Sequence, residues 1–229
     1  MTWPWWEAVL VFLVGNVVLG AATVAALVGL RDDAPAQVVA GLAADLVFLA
    51  AMLGWLGRRH PGWRARVGLV PRLRELPIGF GAGLLLYPVI AFVAGFALTW
   101  LFEQAAGHPI RTPEQLSSSM PAPFPALAVV FAVVVAPVTE ELFFRGMLYR
   151  SIRDRLGVLA GVALSSAGFG LVHFLPDGQV AGAMLLVSLM VFTGIGFAVI
   201  YEWRGNLLAS IAAHAAFNTI GVIAIFAGW

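Results

Sequence analysis

The chain has 229 residues, 61% of them hydrophobic and only 11% charged, where a soluble domain carries about 25% charged residues. This is the composition of a polytopic membrane protein, and the apolar runs leave too little chain for a separate soluble domain. A formal net charge of +1 provides no concentrated basic surface for nucleic acid, and the absence of cysteine excludes disulfides, thiolate nucleophiles and cysteine metal sites.

The first apolar run, 5–30, follows MTWPWWEAVL, which has no Lys or Arg before its apolar part. It lacks the basic region of a signal peptide, so a retained helix is expected. Trp3, Trp5 and Trp6 read as interfacial anchors, as does Trp229 at the other end. The second run, 37–56, contains Asp45. A lone acid at that depth is expected to be protonated, to pair with a group on another helix, or to serve a proton pathway.

The connection 57–76, GRRHPGWRARVGLVPRLREL, contains Arg58, Arg59, Arg64, Arg66, Arg72 and Arg74, which marks it as cytoplasmic. A third run, 77–102, includes Gly79 and Gly83 at helix-packing spacing, a spacing that Gly157 and Gly161 repeat. After it comes the longest polar stretch on the outer side, GHPIRTPEQLSSSMPAPFP, 107–125. Runs at 124–149, 158–175, 180–201 and 207–228 complete seven candidate spans, each long enough for about 30 Å of hydrocarbon. They lack the alternation of a transmembrane barrel and are therefore helices. The expected fold is an all-α transmembrane bundle of about seven spans, forming one integral domain over 1–229.

All thirteen basic residues are arginine. Arg150, Arg153, Arg155 and Arg204 fall on the same side as the six in the connection 57–76, whereas Arg31 and Arg111 fall opposite. Ten against two predicts a cytoplasmic N-terminus and, after seven crossings, an outside C-terminus. The thirteenth, Arg145, lies within the fourth span.

Ionisable residues at bilayer depth face the bundle interior and mark function by default. Glu140, Glu141 and Arg145 lie in VTEELFFRG, 138–146; His173 lies near the far end of span five; His214 and Asn218 lie in span seven. Glu141 and Arg145, four apart, can form an ion pair, which leaves Glu140, rotated by about 100°, as the spare carboxylate. His214 and Asn218, again four apart, project from one stripe. Phe169 and Phe217 read as packing residues, and Asn206 and Ser210 as caps or bridges near the start of span seven.

Two hydrolytic schemes fit these residue types. In one, Glu140 is general base toward a water shared with His173, and His214 and Asn218 donate to the oxyanion. In the other, Glu140, His173 and His214 bind zinc, which activates the water. The metal-free scheme, which requires no cofactor, is preferred. The rival functions are a small proton- or solute-coupled transporter and a non-catalytic immunity or scaffold protein.

The chain resembles the CAAX prenyl protease and bacteriocin-processing (CPBP, or Abi) intramembrane endopeptidases. The resemblance rests on E-E-x-x-x-R as EELFFR, F-x-x-x-H as FGLVH and H-x-x-x-N as HAAFN, in that order and on three separate spans. It covers roughly 124–221, the expected catalytic core. It implies intramembrane proteolysis by a glutamate-activated water, with Glu140 and His173 at the water, His214 and Asn218 at the oxyanion, and Glu141 and Arg145 in support. It also implies a bilayer and a protein or peptide substrate, prenylated in the eukaryotic members and linked to bacteriocin immunity and peptide maturation in bacterial ones. The metalloendopeptidase label often given to the family carries the zinc alternative with it. The location expected is a bacterial cytoplasmic membrane.

The depths of the two key residues pose a difficulty. In spans ending at 149 and starting at 158, Glu140 would lie about 14 Å and His173 about 22 Å from the inner ends. Helix four is therefore expected to continue toward Arg153, or span five to begin nearer Ala160.

Overall fold

The computed structural model describes residues 3–28, 34–113, 123–175 and 179–227. Arg31, Trp229 and residues 114–122 of the outer polar stretch lie outside them. Among the described residues all regular structure is helical, as it must be where lipid offers the backbone no hydrogen-bond partner. The helices are α1 (Trp5–Ala25), α2 (Pro35–Arg59), α3 (Glu75–Ala106), α4 (124–156), α5 (158–171), α6 (Val180–Arg204) and α7 (Leu207–Ala227). Among the described residues six apolar stretches are long enough to span a membrane, because α4 and α5 together form one, Phe124–Leu171.

That stretch breaks at Gly157, whose φ of 85° and ψ of 175° an L side chain rarely adopts. Helix four does continue past Arg153, without interruption, to the residue before this glycine. Glu140 precedes Gly157 by 17 residues and His173 follows it by 16, so at about 1.5 Å per residue both lie roughly 25 Å from the turn. The hairpin resolves the mismatch in depth. Gly157 itself is a reversal point and not a packing glycine: a Cβ there would meet nothing within 4 Å, whereas Gly161 lies against the Tyr149 ring.

Gly79 and Gly83 do pack as their spacing predicts. A Cβ on either would run into the backbone of Ala209 or Ala213, so α3 meets α7 in direct backbone contact. On the other flank, Phe12 of α1, Phe48 of α2 and Phe143 of α4 form an aromatic cluster with centroids 5.3–6.0 Å apart. The first three helices thus brace both sides of α4 and α7.

Trp5 and Trp6 are exposed, as interfacial anchors should be, but Trp3 is not an anchor. It is fully buried, its indole donating to Met147 O at 3.1 Å while its own carbonyl accepts from Arg155. The chain start is stapled to the inner end of α4, which removes Trp3 from the interface. Nearby, the buried Glu7 accepts from Trp55 and His60.

The arginine-rich segments collect at one end of the bundle. Arg150 donates to Arg66 O, Arg153 pairs with Glu202 at 2.6 Å and Arg204 pairs with Glu75 at 2.8 Å. Asn206 caps α7 by accepting from Leu208 N–H and donates to Val70 O. This confirms a capping role for Asn206.

The glycine contacts give a paired test. Gly83→Ala should lower stability by about 1–3 kcal/mol, since backbone stands in the way of the methyl. Gly81→Ala, with open space around it, should be neutral or stabilising by up to about 1 kcal/mol. Denaturant unfolding in micelles checks both.

Candidate active site

The long helix α4 is irregular where it matters. Ala136 N–H reaches back five residues to Phe131 O, and the next donor in that pattern, at 137, would serve Ala132 O. Position 137 is proline and has no N–H. Asn218 Nδ2 on α7 takes the freed carbonyl at 2.8 Å, which fixes the plane of its amide and leaves the second N–H unassigned. Below this, wide-turn helix continues over Leu142–Tyr149, a distortion common at functional sites.

One turn further on, Glu141 and Arg145 are both fully buried and paired at 2.8 Å. Arg145 also donates to Gly194 O of α6 at 2.8 Å, and its guanidinium lies over Phe169 and Phe197 at 4.8 and 5.4 Å. Glu141 accepts from Ser210 Oγ and, at 3.1 Å, from His214 Nδ1. The ion pair is therefore the centre of a network joining α4, α5, α6 and α7.

Two consequences follow for the histidines. Because Glu141 holds Nδ1 of His214, its Nε2 is the nitrogen that faces Glu140, 3.9 Å from Oε2, and its ring stacks on Phe197 with centroids 4.5 Å apart. His173 sits just past the end of α5, where its Nδ1 donates to Phe169 O at 2.7 Å. A carbonyl only accepts, so Nδ1 carries the proton and Nε2 of the neutral ring presents a lone pair.

Glu140, His173, His214 and Asn218 all line one cavity of about 400 Å³, together with apolar residues that include Phe131, Phe169 and Phe217. Phe169 and Phe217 thus pack the site and also form its wall. Glu140 Oε2 is buried and has no hydrogen-bond partner among the described residues. Asp45 of α2 lies within electrostatic reach of Glu140, and its own Oδ2 is likewise buried and unpartnered. Of the roles open to Asp45 from sequence, an ion pair with α4, α5 or α7 is not formed among the described residues.

Ser210, Phe197 and the Gly194 carbonyl are site components that motif spacing missed. Ser210 had a signal: Asn206, Ser210, His214 and Asn218 recur every four residues and form one polar stripe on α7. The other two had none, because a carbonyl and a packing phenylalanine look the same in any apolar helix.

Among the described residues no three His, Cys, Asp or Glu side chains stand close enough to share an ion. Nδ1 of each histidine is held, His173 by Phe169 O and His214 by Glu141, so Nε2 is the nitrogen either ring would offer to a metal or a water.

Residues 122–220 match the family model "Type II CAAX prenyl endopeptidase Rce1-like". The chain is also similar to "Putative membrane peptidase YdiL" of Bacillus subtilis (strain 168), 28% identical over 99 residues, which is 42% of this chain and 36% of that protein. The chain thus spans about a third of the length of the curated relative it matches. No solved structure matches. The family-model match falls on the segment that carries the three motifs.

The ion pair gives a stability prediction. Arg145→Met leaves Glu141 buried without its cation and should cost about 3–5 kcal/mol. Adding Glu141→Gln to it should recover part of that loss, as measured by unfolding of the purified proteins in detergent.

Proposed function

We propose, from the match of residues 122–220 to the type II CAAX prenyl endopeptidase family model and the chain's similarity to a putative membrane peptidase, that this protein hydrolyses peptide bonds of a membrane-associated protein or peptide, with Glu140 as the base that activates a water. The observation that carries this reading is the unpartnered Glu140 carboxylate in a cavity shared with His173, His214 and Asn218.

Both groups assigned to the water are acceptors. A water between them donates one O–H to Glu140 and the other to His173 Nε2, which leaves an oxygen lone pair free for the scissile carbonyl carbon. As the C–O bond forms, Glu140 takes the proton; it then passes that proton to the amine as the C–N bond breaks.

The charge that develops on the carbonyl oxygen falls to α7. With Nδ1 of His214 donating to Glu141, donation from Nε2–H is that of an imidazolium, whose positive charge meets the oxyanion directly. Asn218, anchored at Ala132 O, offers its remaining N–H. Glu141 and Arg145 touch neither water nor substrate in this scheme and act by holding His214. The scheme requires no metal, and a prenylated CAAX-type substrate is one member of the class that the apolar walls would accept.

Glu140→Gln should reduce cleavage by about 10²–10⁴-fold while leaving the unfolding midpoint essentially unchanged, and Asn218→Ala should cost about 10²–10³-fold in kcat with little change in KM. Chelator treatment should leave wild-type activity intact. Unchanged cleavage by Glu140→Gln would remove the proposed base, and activity lost on chelation and restored by zinc would return the metal scheme.

A further inference from the structure

The cavity is not centred in the bundle. On α4 its lining residues run from Glu140 back to Phe131, away from Arg150; on α7 they run from His214 forward to Ile225, away from Leu207; on α5 they are Phe169 through Leu175, away from Gly157. All three helices therefore place the chamber between mid-depth and the end opposite the arginine-rich segments. Leu175 and Val172, beyond the end of α5, are exposed at its rim. A helix of 14 residues covers only about 21 Å, less than the hydrocarbon thickness, so α5 stops short and, among the described residues, leaves the chamber open on that side.

Toward the arginine-rich end the path is closed. Beneath Glu140 lies the Glu141–Arg145 network, and beneath that Met147, Tyr149, Tyr201, Leu207 and Val67, none more than 2% exposed. Tyr201 donates to Val67 O at 2.9 Å, and Leu207 N–H to Gly68 O at 3.1 Å. The loop after α2 is therefore bonded across the inner ends of α6 and α7 as a plug.

The ten arginines outside the bilayer at the plugged end, against two at the other, put the plugged end in the cytoplasm. We infer that the catalytic chamber opens to the non-cytoplasmic face and takes its substrate from there, as an apolar segment of an exported or membrane-anchored polypeptide and not as a cytosolic tail. The substrate half of this inference rests on the proposed endopeptidase activity. Its sidedness rests on charge and geometry alone.

The chain has no cysteine, so single-cysteine variants of the full-length protein report accessibility without background. Leu175→Cys at the rim and Arg64→Cys in the plugging loop, neither part of the catalytic group, are treated with a membrane-impermeant sulfonated maleimide in spheroplasts and in inverted vesicles. Leu175→Cys should react in spheroplasts and lose its labelling in inverted vesicles, and Arg64→Cys should do the reverse. Outside modification of Leu175→Cys should also block cleavage, while modification of Arg64→Cys should not. Labelling of Leu175→Cys from the cytoplasmic side overturns the inference, as does cleavage that survives outside modification. If neither protein cleaves anything but the labelling pattern holds, the sidedness stands and the endopeptidase reading falls.

Discussion

The arrangement of the site depends on one buried ion pair. Glu141 and Arg145 lie in a region where an isolated charge is prohibitively unfavourable, and each is tolerated only because the other is present. Further partners come from two other helices: Gly194 O of α6 for the guanidinium, and Ser210 and His214 of α7 for the carboxylate. A group that must find partners in every direction fixes the relative positions of the elements that supply them. That is how the pair sets the orientation of the His214 ring.

The same economy applies to the backbone. Proline in a membrane helix leaves a carbonyl without its donor, and lipid cannot make up the deficit. At Ala132 the missing N–H of Pro137 is replaced by the Asn218 side chain, so a local defect in α4 becomes the fixture that orients a polar group on α7. Arg145 and Gly194 O form a second cross-helix link of this kind. Desolvation thus turns each unsatisfied group into a positional constraint, and the site is built from these constraints.

The first three helices carry none of the chemical motifs, yet they are not spectators. Backbone contact at Gly79 and Gly83 sets how closely α3 holds α7, and the Phe12, Phe48 and Phe143 cluster steadies α4 from the other side. From this buttress Asp45, whose Oδ2 is buried, lies within electrostatic reach of Glu140. The loop between α2 and α3 closes the arginine-rich end of the bundle, so the N-terminal half contributes both the frame and the floor of the chamber.

Much of this was legible in the sequence, because the bilayer enforces simple rules: apolar runs become helices, and intramembrane charges face inward. Spacing alone paired Glu141 with Arg145, set Glu140 apart, and put His214 with Asn218, since residues four apart on a helix share a face whatever surrounds them. Other features depended on how the helices met. Trp3 has the composition of an anchor but is buried because Met147 O and Arg155 lie beside it. Gly157 has the spacing of a packing glycine but serves as the hinge that brings Glu140 and His173 to one depth. The partners of Glu141 beyond Arg145, the carbonyl that holds Asn218, and the end toward which the chamber opens are relations between helices distant in sequence. Only tertiary packing decides them, since a one-dimensional pattern specifies which face a residue occupies and not what that face meets.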